Sequence, residues 1–142
     1  MTMTGLDTID HAVQVTNEWL RDLSSIMEWD DRSRSWRLLR ATLHALRDWL
    51  QVNEAAHLGA QMPLLIRGVY YEGWHPAGTP VKERSLADFR ARIDKAFATD
   101  PLDDPDSAVA GVFVLLSRHI TEGQVENVRR SLPKDLRNLW PE

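Results

Sequence analysis

A chain of 142 residues with 43% hydrophobic content and six tryptophans can bury about two thirds of the surface its unfolded form exposes, so it needs neither disulfides nor a structural metal to fold. Cysteine is absent, which excludes disulfides, thiol nucleophiles and cysteine-based zinc sites. A net charge of −4 and a pI near 5.7 disfavour non-specific attraction to nucleic acid or anionic lipid.

The first segment, residues 6–27, places Ile9, Val13, Thr16, Leu20, Leu23 and Met27 on one stripe at helical spacing, widened by Val15, Trp19 and Ile26. Trp29-Asp30-Asp31 ends it, and either aspartate can cap the next helix. That helix, residues 33–50, carries Leu39, Leu43, Leu46 and Leu50. A tight turn at Gln51-Val52-Asn53 follows, with Asn53 read as N-cap of a short third helix reaching Ala60. Pro63 suits the first turn of a fourth helix bearing Leu65, Ile66 and Val69.

Gly73, Pro76, Gly78 and Pro80 then interrupt the rhythm, so residues 71–84 read as a Gly/Pro-rich connecting loop. Helical spacing resumes at Leu86, Phe89, Ile93 and Phe97. Asp104-Pro105 is a strong helix start, leading into Val109, Val112, Phe113, Leu116 and Ile120. Thr121-x-x-Gln124 has the pattern of a capping box, and Pro133 opens a last helix ending at Trp140.

A shift of 70 residues aligns the chain on itself. Trp19, Leu23 and Met27 fall on Phe89, Ile93 and Phe97, and Leu39, Leu43, Leu46 and Leu50 fall on Val109, Phe113, Leu116 and Ile120. Met62-Pro63 falls on Leu132-Pro133, Ile66-Arg67 on Leu136-Arg137, and Tyr70 on Trp140. The expectation is an all-α bundle of about eight helices, one domain over residues 1–142, made of two tandem pseudo-equivalent four-helix units at 6–70 and 76–140. Each unit has one apolar face and is too small to bury it well alone, so the two would pack against each other.

The chain resembles the bacterial "domain of unknown function 2267" family along nearly its whole length. The resemblance is carried by Glu28-Trp29-Asp30-Asp31-Arg32, by Leu43-His44-Ala45-Leu46-Arg47-Asp48, by the run from Gln61 to Trp74, and by the tail from Leu132-Pro133 to Trp140-Pro141. It implies a small helical bacterial protein and supplies no activity, substrate or catalytic residue.

Candidate chemistry is sparse. Glu54-x-x-His57 has the i, i+3 spacing of di-metal carboxylate bundles, but the repeated string Glu72-Gly73-Trp74-His75 lies in a loop, so no metal is expected. His44 with Asp48, and His119 near Glu122, could form hydrogen-bonded pairs. His44 and Asp48 read as a solvated pair on the polar side of their helix, and no nucleophile elbow, phosphate loop or dinucleotide fingerprint accompanies either pair. No catalytic residue and no cofactor is therefore assigned.

Arg37, Arg40, His44 and Arg47 make a basic stripe on the second helix, yet the corresponding face of its counterpart carries Asp106, Ser107, Ala110, Val114 and Ser117. A solvated face paired with nearby acids is the expectation, not a nucleic-acid surface. The most distinctive segment runs from Tyr70 to Pro76. Tyr70, Tyr71, Trp74 and His75 there, with Arg67 beside them, read either as an interaction surface or as an internal clasp. Arg67 and Arg137, at matched positions, suggest an ion pair or carbonyl cap in each unit.

The functional expectation is a non-enzymatic protein-interaction or scaffold module with an unknown partner or a second copy of itself in a homodimer. The alternative is a ligand-binding or enzymatic pocket near Tyr71, Trp74 and His44. No apolar run reaches the ~18–20 residues that span a bilayer. The start of the chain lacks the basic and apolar regions of a secretory signal, so a cytoplasmic location is expected.

Overall fold

The computed structural model describes residues 4–141; residues 1–3 and 142, where the expected domain and the stretch read for a leader begin or end, lie outside it. Eight α-helices follow one another among the described residues, with no strand. They are α1 (Asp7–Met27), α2 (Arg32–Trp49), α3 (Val52–Ala60), α4 (Leu64–Tyr71), α5 (Leu86–Ala96), α6 (Pro105–His119), α7 (Glu122–Ser131) and α8 (Lys134–Arg137). A 3-10 turn, Pro76–Gly78, lies in the connection between α4 and α5. No helix is long and apolar enough to cross a membrane among the described residues.

The helix starts show which local signals carried weight. Asp31 caps α2 by accepting from the Arg34 amide, and Asp104 caps α6 by accepting from the Ser107 amide, with Pro105 at the first helical position. Ser85 caps α5 through the Asp88 amide. Asn53 does not cap α3: Val52 is already helical and Gln51 takes the cap position without a side-chain bond. The helix starts two residues earlier than expected because the extended backbone of Leu50 and Gln51 completes the turn. Pro63 likewise sits just before α4 in an extended conformation. Glu28 ends α1 in the left-handed region, φ 57°, while its own amide and that of Trp29 satisfy the last carbonyls.

The capping box at α7 forms only in half. The Thr121 hydroxyl accepts from the Gln124 amide, but the Gln124 side chain does not fold back. It donates instead to Glu54 Oε1 of α3 at 2.7 Å, and the Thr121 amide donates to the side chain of Gln61. Tertiary partners have replaced the local one.

The buried apolar side chains form one contiguous core. Leu39, Leu43 and Leu46 from α2, and Leu50 just past its end, meet Val109, Val112, Phe113 and Leu116 from α6 there, with Phe89 and Ile93 from α5. The most extensive packing is of α1 on α6 and of α2 on α5, and α3 lies against α7. The α1 stripe is buried from Thr16 to Leu23, while Ile9 is exposed and Val13 half-buried. Ala12 is also buried, so it is the first turn around Ile9 that lies outside the core, and helical spacing over-counted there.

Candidate functional site

The polar side of α2 is where charge concentrates, and its residues separate into a buried part and an open part. Arg47 and Asp48 are both buried, at 4% and 9% exposure. Arg47 Nη1 donates to the carbonyls of Tyr70 at 2.9 Å and Glu72 at 2.8 Å, so the guanidinium sits on the carboxyl end of α4, where a cation meets the helix dipole and its unpaired carbonyls. Its Nε donates to Asp48 Oδ1 at 2.9 Å, and Arg92 of α5 donates to Asp48 Oδ2. Burial pushes the Asp48 carboxyl upward, but the hydrogen bonds and charges of Arg47 and Arg92 outweigh it and hold the group below the usual carboxylate range. The Asp48 carbonyl also accepts from the Val81 amide, fastening the connecting loop to α2.

His44 and Asp48 are thus not a pair, contrary to the sequence expectation. The His44 Nε2–H donates to the Val69 carbonyl at 2.6 Å. Burial lowers its pKa; the Val69 bond opposes that, the charges of Arg47 and Arg40 reinforce it, and Glu72 opposes it. His119 also differs from expectation. It stacks on Trp19 with centroids 4.6 Å apart and contacts Asp22 at 3.0 Å, where Arg118 joins it, and not Glu122.

The open part is a groove of about 460 Å³ between α2 and α5. Arg37, Arg40, His44 and Arg47 line one wall, Arg92 and Lys95 the other, and Ala41 and Ala96 keep side-chain bulk out of it. At its rim Arg40 donates through Nε and Nη2 to Glu72 Oε1, and that contact holds the Glu72 carboxyl below its ordinary value. Arg37 Nη1 lies 3.6 Å from Asp100, whose carboxylate is engaged more closely by Arg34. Arg92 passes over the face of Trp49, 5.1 Å from its centroid. Sequence reasoning found the α2 half of this surface and missed the α5 half. Arg92 and Lys95 lie some fifty residues further along the chain, in a helix whose basic residues alternate with Asp88 and Asp94.

The aromatic segment lies against the body of the fold. Tyr70 is fully buried, its hydroxyl donates to the Ala55 carbonyl at 2.7 Å, and burial drives its pKa strongly upward. Tyr71 is half-buried, donates to the Ala56 carbonyl at 3.4 Å, and packs edge-on to Tyr70 and tilted against Trp74. Trp74 packs partly buried against the core, whereas His75 is exposed. Arg67 donates from Nε to the Gly59 and Met62 carbonyls and from Nη2 to Met62, capping the end of α3, and Arg137 Nη2 donates to the Leu132 carbonyl. Of the residues grouped as a pocket, His44 lines the cationic groove, while Tyr71 and Trp74 do not. Glu54, one half of the metal-like spacing, is engaged by Gln124, and no cluster of three metal-ligating side chains occurs among the described residues.

An all-helical protein with a single shared core and a cationic groove is the class that these observations define. The chain belongs to the uncharacterized conserved protein family DUF2267, whose pattern matches residues 16–139. That span contains α2 to α8 and the whole groove. No curated protein matches the chain.

Proposed function

We propose that this is a non-enzymatic interaction module of the bacterial cytoplasm that binds an anionic partner in the groove between α2 and α5. The observation carrying the proposal is the convergence of Arg37, Arg40, Arg47, Arg92 and Lys95 from two helices on one open groove, in a protein whose net charge is −4. The side chains suited to acid–base work have other employment: His44 holds Val69, Asp48 holds two arginines, and His119 faces Asp22. That distribution supports a binding role over a catalytic one.

The aromatic segment takes the role of internal clasp in this reading. Tyr70, Tyr71 and Trp74 turn their apolar area to the core, and Arg47 grips the carbonyls around them, which favours the clasp over a homodimer contact.

Two pseudo-equivalent units form the scaffold in the same proposal. Several contacts support it, because they recur when 70 is added to one residue and subtracted from its partner. Trp19 stacks on His119 as Phe89 meets Trp49, and Asp22 pairs with Arg118 as Arg92 pairs with Asp48, with the charges exchanged. Glu54 bonds to its own counterpart, Gln124. A twofold relation between units predicts pairs of this kind.

The experiment is chromatography on a sulfonate cation exchanger at pH 7 and low salt. The protein is expected to be retained despite its net charge, and Arg37→Gln/Arg40→Gln/Lys95→Gln to flow through. Flow-through of the unaltered protein would contradict the groove as a working surface.

A further inference from the structure

We infer that the ligand of the α2–α5 groove is a short phosphate chain, two or three linked phosphates carried by a small molecule, an inference that rests on the groove being the binding surface. The first ground is charge density. From Arg37 to Arg47 the α2 wall is about 15 Å long at the 1.5 Å rise of a helix, and Arg92 and Lys95 face it across the groove. Consecutive carboxylates on one face of an extended peptide fall about 7 Å apart, so a peptide would bring few charges to such a wall. Linked phosphates concentrate several charges, and many acceptor oxygens, within that length.

The second ground is donor supply. Arg40 uses Nε and Nη2 on Glu72 and keeps Nη1, and Arg92 uses only Nη1 on Asp48. Arg37 meets Asp100 only at 3.6 Å, and Lys95 enters no ion pair among the described residues. Five cations therefore face three carboxylates, one of which, Asp100, is shared with Arg34. The surplus lies at the rim, where an entering anion meets it.

The third ground is the boundary. Glu72 and Asp100 flank the groove through Arg40 and Arg37, so a long polyanion running beyond it would meet carboxylates, whereas a short one would not. The volume, about 460 Å³, is within the range of small-molecule sites.

The fourth ground is that the fold does not require this charge. Under the 70-residue relation, the positions matching Arg37, Arg40, Arg47, Arg92 and Lys95 are Ser107, Ala110, Ser117, Asp22 and Ser25. The α1–α6 packing stands with those residues in place.

Isothermal titration of the full chain with inorganic tripolyphosphate, pyrophosphate and orthophosphate tests the inference. Saturable one-to-one binding is expected, tightest for tripolyphosphate. Arg37→Gln/Lys95→Gln, at a half-buried and an exposed position of the groove, should weaken it by about tenfold or more, while Arg130→Gln on α7 should not change it. Arg92→Gln should weaken it too, with its folding checked by circular dichroism because Arg92 also supports Asp48. Absence of tripolyphosphate binding, or binding indifferent to the rim variants, would overturn the inference. So would preferential binding of duplex DNA with a steep salt dependence. A protein that is retained on the sulfonate resin in a rim-dependent way but ignores tripolyphosphate loses this inference and keeps the groove. One that does neither loses both.

Discussion

Arg47 is the residue on which the local structure of the site converges. It pairs with a buried carboxylate, closes the end of α4 and lines the groove. Arg47→Gln should therefore destabilise the fold by roughly 3–5 kcal/mol, the cost of leaving a buried charge and two carbonyls short of partners. Urea denaturation measures it, and a loss below about 1 kcal/mol would mean that water replaces the guanidinium without penalty. His44 makes a signed prediction for pH. Its pKa is lowered on folding, so its contribution is complete above the unfolded value of about 6.5 and declines as pH falls below it. Stability should drop between pH 7.5 and 5.5, and His44→Gln should flatten that part of the profile; an unchanged profile would remove His44 from the pH response. None of these partnerships was readable from spacing. His44 and Asp48 stand at i, i+4 and look like a pair, but α4 and α5 supply each of them with a stronger one.

Two glycines separate packing from propensity among the helices. A Cβ on Gly59 would overlap the Tyr71 ring and lie 2.9 Å from Tyr70 Cε2, both of them rings held by hydrogen bonds to α3. On Gly111 it would lie 2.5 Å from the Met27 sulfur, the end of a flexible chain. Gly59→Ala should accordingly lower stability by about 1–3 kcal/mol through overpacking. Gly111→Ala should be neutral or gain up to about 1 kcal/mol from helix propensity. Thermal denaturation of both variants checks the contrast, and equal losses would contradict it. Helix identity and order were legible in the sequence, because the leucines of α2 and the capping aspartates at 31 and 104 act locally. Cap details were less so. Asn53 and Gln124 have the right chemistry in the right place, but a tighter turn displaces the first and Glu54 draws away the second.

The whole molecule explains why an acidic protein can carry a cationic site. Net charge sums over all faces, while a groove responds only to what lines it, and the rim here draws on helices some fifty residues apart. Periodicity finds the face of one helix; it does not tell which other helix will lie opposite, so the stripe on α2 could be read as a solvated face paired with acids, as Arg40 and Arg37 are with Glu72 and Asp100, but not as one wall of a groove. Ser107, Ala110 and Ser117 of α6, which the 70-residue shift sets on Arg37, Arg40 and Arg47, argued against a nucleic-acid surface; in the proposed two-unit reading they also mark the charge of α2 as an addition to the scaffold. The aromatic segment, conspicuous in composition, packs against the core instead.

The most direct measurement is a heteronuclear NMR titration of isotope-labelled protein with tripolyphosphate, read at backbone amides and arginine Nε–H groups. Perturbations should gather at residues 37–47 and 92–96 and at the side chains of Arg37, Arg40 and Arg92. Shifts centred instead on another arginine-bearing cleft, such as that lined by Arg118 and Arg129 beside Trp140, would contradict the account, as would a spectrum that does not move.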